Sequence, residues 1–375
     1  MRQPFDDDLT VRLTKPLPSR GRRGGVPIWA IVTPLLLLVV AALGAGGWWF
    51  LLRTTPTKPV TAPVAALQRV PVAPEAAKPE TVPAPAPVAV APPPMPVPPP
   101  PEFTIEDASE QRILDHVPAE AAPDPTVFRF KPNPRVLVLD FASLRDQGHM
   151  LNRTAALVEK TGLPRDRLLN DTELDSAIRG GGDTAETYYY GHDYSGAALT
   201  RFFALADRDS VHLSVEEETL HRLLRQEDLF APNAQEALIS IPQVGADPHV
   251  TRVARATILH HELSHGEYFT NPAYTAFVHR FWTVTLTSAE RDRIRRHLRT
   301  LGYDAGLEDV MENEAQAYLM FTDSPEFFTP EMIGMGKSRL AELRNGFYRT
   351  MPAGWLRDSL GQTLTLSKTA AGAHP

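Results

Sequence analysis

The chain of 375 residues contains no cysteine. Disulfides are thereby excluded, and so are thiolate metal ligands, so any metal must be held by histidine and carboxylate. An excess of positive charge is also missing. Thirty-eight Lys and Arg against 45 Asp and Glu leave a net charge of −7, which argues against nucleic acid as a partner. No repeat is visible, which excludes solenoid arrays. Two local absences are informative. Val26 to Leu52 carry no charged residue, and between Pro248 and Gly266 there is neither glycine nor proline.

The uncharged segment, residues 26–52, is apolar throughout and reaches from Ile28 and Trp29 to Trp48, Trp49 and Phe50. At about 1.5 Å per residue it exceeds the roughly 30 Å hydrocarbon core of a bilayer, so one transmembrane helix is expected. Trp29 and the Trp48-Trp49 pair fall near its ends, where an aromatic belt belongs. Arg20, Arg22 and Arg23 outweigh Arg53 and Lys58, which predicts that the tail 1–25 is cytoplasmic. A cleaved signal peptide is the rival, with Ala42, Gly44 and Ala45 as small residues, but the apolar run continues well past them.

Residues 53–102 read as a linker, and 17 of the 48 residues at 54–101 are proline. Such a stretch cannot bury a core and favours stiff polyproline II. An anchor followed by a Pro-rich spacer resembles the layout of TonB-type envelope proteins of Gram-negative bacteria. That resemblance, of composition only, implies an inner-membrane protein with its carboxy-terminal domain in the periplasm. A generic spacer is the plainer reading.

From Phe103 to the end, residues 103–375, composition turns globular. Thr126 to Phe130, Val136 to Phe141 and Ala237 to Ile241 are expected as strands. Helices are expected over 147–160, from a Thr172 cap to Arg179, over 195–206, and from a Ser214/Glu217 capping box to Gln226. Later ones are expected over 272–284, 288–301, 308–321 and 330–348, the last started by Thr329-Pro330. The sum is an α+β domain, mainly helical, with a small early sheet.

The uninterrupted run Thr251 to Tyr268 predicts a helix of roughly four turns, with Val250, Ala254, Ile258, Leu259 and Leu263 at helical spacing. Within it stand His261-Glu262-Leu263-Ser264-His265. Residues four apart share a helix face, so both imidazoles can reach one ion, and Glu262 can take a proton from a water bound there. A surface helix with a histidine stripe is the bland reading. His260 lies about 100° round the helix from His261 and cannot easily join the same site.

A catalytic zinc normally has three protein ligands and an open position. Met311 to Tyr318 supplies the third: Glu314 borders the inward stripe of Met311, Ala315, Tyr318, Leu319 and Thr322, and an inward carboxylate is costly unless paired or bound to metal. Glu308 and Glu312 are held in reserve; Glu312 is about 200° from Glu314 and shares its face with Gln316 and Asp323. Here the chain resembles the gluzincin side of the zincin superfamily of zinc metallopeptidases. In those families two helix histidines are joined by a glutamate on a downstream helix. The resemblance rests on two short motifs and implies Zn2+ on His261, His265 and Glu314. Those families place an aspartate four residues after the glutamate, where this chain has Tyr318.

An oxyanion donor is expected from Tyr318, Tyr268 or the run Tyr188 to Tyr194, in which Gly191 would permit a sharp turn. A packed aromatic loop is the plainer reading of that run. The expectation is a membrane-anchored periplasmic zinc metallopeptidase with Glu262 and Tyr318 as catalytic residues and a protein or peptide of the cell envelope as substrate. The rival is an envelope scaffold or binding module with a structural or vestigial metal site.

Overall fold

Five short strands set the frame of the domain in a computed structural model that describes residues 102–118, 124–229 and 235–361. The tail 1–25, the apolar segment 26–52 and all but the last residue of the 53–102 linker lie outside the described residues. Among those described, no helix is long and apolar enough to cross a membrane.

The strands β1 (Ile105–Ala108), β2 (Thr126–Phe130), β3 (Val136–Phe141), β4 (His192–Ser195) and β5 (Ala237–Pro242) form one mixed sheet in the order β1-β2-β3-β5-β4. β2 and β3 are antiparallel across the turn Lys131-Pro132-Asn133-Pro134, whose prolines cannot continue a ladder. β3 and β5 run parallel, Val136 opposite Ala237, and every residue of both is buried. Their near-continuous apolar sequences suit strands covered on both faces. β4 is an antiparallel edge strand on β5, with His192 opposite Ser240.

Helices follow in order: α1 (Glu110–Leu114), α2 (Leu144–Val158), α3 (Asp171–Gly180), α4 (Gly196–Asp209), α5 (Val215–Gln226), α6 (Arg252–Thr270), α7 (Pro272–Arg280), α8 (Ser288–Thr300), α9 (Glu308–Gln316) and α10 (Lys337–Thr350). The domain is thus α+β, with the sheet drawn mostly from the first half and helices filling the second.

The long helix α6 starts at Thr251, whose hydroxyl accepts from the Ala254 amide, and packs across β3, β5 and β4. Two contacts seat it. A Cβ on Gly266 would lie 3.0 Å from both Val136 γ-carbons, so the missing side chain lets helix and sheet approach. Arg255 makes a bidentate pair with Asp140 of β3, at 2.7 and 2.9 Å, and also donates to the carbonyls of Pro242 and Ile113. Both charges are sealed from solvent, so the pair fixes helix position wherever its donors and acceptors are matched.

Several expected elements differ in detail. α3 begins two residues earlier than a Thr172 cap would place it, because Asn170 caps it, in a capping box with Glu173. The single helix expected over 330–348 is two pieces: a 3-10 turn at Pro330–Ile333 ends in left-handed Gly334, and α10 starts only after Gly336. α7 and α9 each pass into a π-helical turn, at Phe281–Thr285 and Ala317–Phe321. β1, α1 and β4 are elements the sequence pattern did not announce.

Candidate metal centre

α6 and α9 cross so that His261, His265 and Glu314 face one another. His261 Nε2 lies 3.8 Å from Glu314 Oε2, and His265 Nε2 lies 3.8 Å from Glu314 Oε1. Bonds of about 2.0–2.2 Å to a tetrahedral ion leave ligand atoms about 3.3–3.6 Å apart, a few tenths of an ångström less than these distances. Glu314 Oε2 and His265 Nε2 are buried and lack any hydrogen-bond partner. Unmatched buried polar atoms are costly, so a donor set of this kind fits a metal ion.

The state of the imidazoles suits the same role. Burial, with His265 beside it, holds His261 far below the usual imidazole range. Burial also lowers His265, to about 4, against opposing effects of Asn313 and Glu159. Both rings are therefore neutral at pH 7, the form that binds metal. The His261 tautomer is fixed as well. Its Nδ1 sits 2.8 Å from the Thr322 hydroxyl, which itself donates to the Ala317 carbonyl at 3.1 Å. The hydroxyl must then accept from Nδ1–H, which leaves Nε2 free to face Glu314.

The His261 ring is thus oriented by Thr322, while the residue four after Glu314 is Tyr318. The π-turn explains this arrangement. Its widened turn changes the register after Glu314, so the ring of Tyr318 packs edge-on against His261, with centroids 4.8 Å apart, and Thr322 reaches Nδ1.

Glu262 stands next to this set and outside it, grouped with Asp193 and His265. Its Oε2 is buried without a partner. Burial, then Asp193, Glu314 and Glu159, push its carboxyl well above the ordinary range. Gly191 explains how it fits: a Cβ there would come within 2.2 Å of Glu262 Oε1. The sharp turn expected at Gly191 is not its role, for its φ is not positive. The glycine is required by the close approach of a carboxylate.

The reserve ligands lie elsewhere. Glu308 accepts from Trp282 and Arg295. Glu312 accepts from the Tyr268 hydroxyl at 2.7 Å and meets His279 Nδ1 at 2.9 Å. Its face of α9 is nevertheless buried: Gln316 on the same face accepts from Tyr274. His260 meets Glu110 at 2.5 Å, away from the ligand pair. Of the other proposed hydroxyl donors, Tyr268 serves Glu312, Tyr194 donates to the Leu151 carbonyl, and Tyr190 donates to Asp247. Tyr188 and Tyr189 belong to a cage around Lys160, whose Nζ is 4.2 and 4.0 Å from their ring centres.

Three acidic or basic neighbours were not anticipated. Asp193 Oδ2 lies 3.8 Å from His265 Nε2, and burial raises its carboxyl to about 7. Glu159 is raised to about 7 by burial and by Asp193. Lys160 is lowered to about 8 by burial, with Glu159, Asp183 and Glu314 opposing. Burial, then Asp193 and Glu159, push the Glu314 carboxyl well above the ordinary range, with the Tyr303 hydroxyl and Lys160 opposing. Asp193 stood in the quoted Tyr-rich run, and Thr322 stood in the inward stripe of α9. For Glu159, at the frayed end of α2, no local pattern marks a site. Comparison with family models, with curated proteins and with solved structures finds no match to this chain.

Proposed function

We propose that the chain is a zinc-dependent metallopeptidase in which His261, His265 and Glu314 hold the metal and Glu262 is the general base. The observation that carries the reading is a buried second carboxylate, Glu262, next to a His-His-Glu set but outside it. A purely structural site has no use for one, which weighs against the scaffold reading.

Zinc, when bound there, supplies a Lewis acid for the scissile carbonyl and a water acidified towards a pKa of about 7. Glu262 Oε2 accepts the proton of the attacking water and later passes it to the leaving amine. Thr322 keeps the His261 ring turned with Nε2 towards the site. Tyr318, packed on His261, is the hydroxyl assigned to the developing oxyanion.

The topology belongs to the same proposal: anchor at 26–52, domain in the periplasm, and an envelope protein or peptide as substrate. Reporter fusions after residue 60 should behave as exported, and cytoplasmic behaviour would move the substrate to another compartment. The catalytic assignment is tested with Glu262→Gln on a quenched fluorescent peptide library. The variant should keep its zinc and lose cleavage to the per cent level or below, since general-base catalysis contributes about 10² to 10⁴ in rate. Equal cleavage by wild type and variant would remove Glu262 from the mechanism.

A further inference from the structure

Glu262 is confined on one side by the backbone of Gly191, and what fixes that backbone lies on the far face of the sheet. Successive side chains of a strand point to opposite faces. In β4 Asp193 faces α6, its Oδ2 3.8 Å from His265 Nε2, and a Cβ on Gly191 would point the same way, into Glu262. His192 and Tyr194 face the other way, towards α2. β4 is an edge strand of four residues, paired only with β5 among the described residues. Its ladder holds it from one side, and α2 holds it from behind.

Three side-chain contacts make that hold. The Tyr194 hydroxyl donates to the Leu151 carbonyl at 3.0 Å, Gln147 Nε2 donates to the Tyr190 carbonyl at 3.0 Å, and His192 Nε2 lies 3.2 Å from Asn152 Oδ1. The direction of the last bond is determined. Asn152 Nδ2 donates to the Ala185 carbonyl at 2.9 Å, so the Oδ1 turned to His192 must accept. Burial brings His192 down to about 3, so its ring is neutral at pH 7 and carries one N–H. That hydrogen sits on Nε2, and Nδ1 accepts from the Ser240 hydroxyl of β5, 3.0 Å away. Gln147, Asn152, His192 and Ser240 are all buried, where an unpaired polar group is costly. The chain from the Ala185 carbonyl through Asn152 and His192 to Ser240 therefore has one arrangement. Gly148 makes room for it, since a Cβ there would stand 2.3 Å from the Ala185 carbonyl oxygen.

We propose that Asn152 and His192 are positioning residues for the hydrolysis: linked from α2 to β5, they hold the Gly191 backbone against Glu262 and so set where its carboxylate stands. This rests on the reading of Glu262 as the general base. The effect passes through the backbone at Gly191, so it should fall on the chemical step and spare both the metal and substrate binding. Displacing a reacting group by about 1 Å can cost on the order of 10² in rate.

The test is kinetic, on full-length zinc-loaded protein with a peptide that wild type cleaves. His192→Leu can donate nothing to Asn152, and it should lower kcat by about tenfold or more, leave KM within about twofold and keep one zinc per chain. His192→Gln, whose amide can donate to Asn152 in place of Nε2–H, should bring kcat back to within about threefold of wild type. Ser240→Ala deletes a single hydroxyl and carries the test should His192→Leu fail to fold, with an expected loss in kcat of about threefold or more at unchanged KM. Wild-type kcat in folded His192→Leu or Ser240→Ala overturns the proposal, and so does a His192→Gln variant as slow as His192→Leu. Loss of zinc in step with kcat also overturns it, because the network would then be holding the metal set rather than the base. Cleavage by Glu262→Gln at the wild-type rate would instead remove the general-base reading, so the two failures are distinct.

Discussion

Gly191→Ala is a sharp probe because it adds one methyl group at a place where the structure has no room for it. The new Cβ would stand 2.2 Å from Glu262 Oε1, 2.7 Å from its Cδ and 3.0 Å from its Cγ. Ordinary contacts are near about 3.5 Å, so the carboxylate must retreat by roughly 1.3 Å. The obstacle is the end of a side chain rather than backbone, and overpacking of this kind costs about 1–3 kcal/mol, which leaves the domain folded. Catalysis should suffer more, because misplacing a reacting group by about 1 Å can cost on the order of 10² in rate. The zinc should stay, since Glu262 is not a ligand. The assay is kcat/KM on a peptide that wild type cleaves, with metal content measured on the same samples. A double-mutant cycle sharpens it: Glu262→Asp withdraws the carboxylate, so Gly191→Ala should cost little in that background. The reasoning is refuted if Gly191→Ala keeps kcat/KM within about twofold of wild type. It is equally refuted if the variant loses its zinc.

Thr322→Val removes the acceptor for His261 Nδ1 and should weaken zinc binding by about 10- to 100-fold, while Thr322→Ser restores it. Equal zinc affinity in all three proteins would dismiss the positioning role. Arg255→Met leaves Asp140 charged and without its bidentate partner under α6, and should destabilise the fold by about 3–5 kcal/mol in chemical unfolding. A loss under 1 kcal/mol would show that the pair does not anchor the helix. His192 is pushed down to about 3, chiefly by burial, whereas an unfolded histidine titrates near 6.5. Between those values the unfolded chain binds the extra proton, so the group withdraws stability as pH falls, by about 1.4 kcal/mol per unit. His192→Gln should therefore flatten the decline of unfolding free energy between pH 6 and 4, and parallel curves would contradict the assignment.

The parts of this molecule that were legible in its sequence are those set by local rules. Strands β2, β3 and β5 are short β-rich runs, two of them flanking a proline turn. α5 carries its capping box in four residues, and α6 is long and unbroken. Helix geometry alone also separates Glu314 from Glu312, and the structure keeps them on different partners. The split of 330–348 was also written locally, in Gly334 and Gly336, but the Thr329-Pro330 start outweighed it. Other features depend on tertiary context. β4 exists because β5 offers a free edge, and the Tyr-rich run that leads into it looks like a loop until that partner is placed. The purpose of Gly191 is visible only once Glu262 lies against it. Thr322 reaches His261 from the end of a π-turn, and no residue type announces such a turn. Glu159 comes from the end of α2 and meets Asp193 and Glu314 only in the folded chain.

The most direct measurement is the zinc retained per chain after exhaustive dialysis against metal-free buffer, for wild type, Glu314→Ala and Glu312→Ala side by side. Wild type and Glu312→Ala should each keep about one zinc, because Glu312 serves Tyr268 and His279. Glu314→Ala should keep almost none. Zinc held by Glu314→Ala at the wild-type level, or lost from Glu312→Ala, would contradict the assignment of His261, His265 and Glu314 as the metal site.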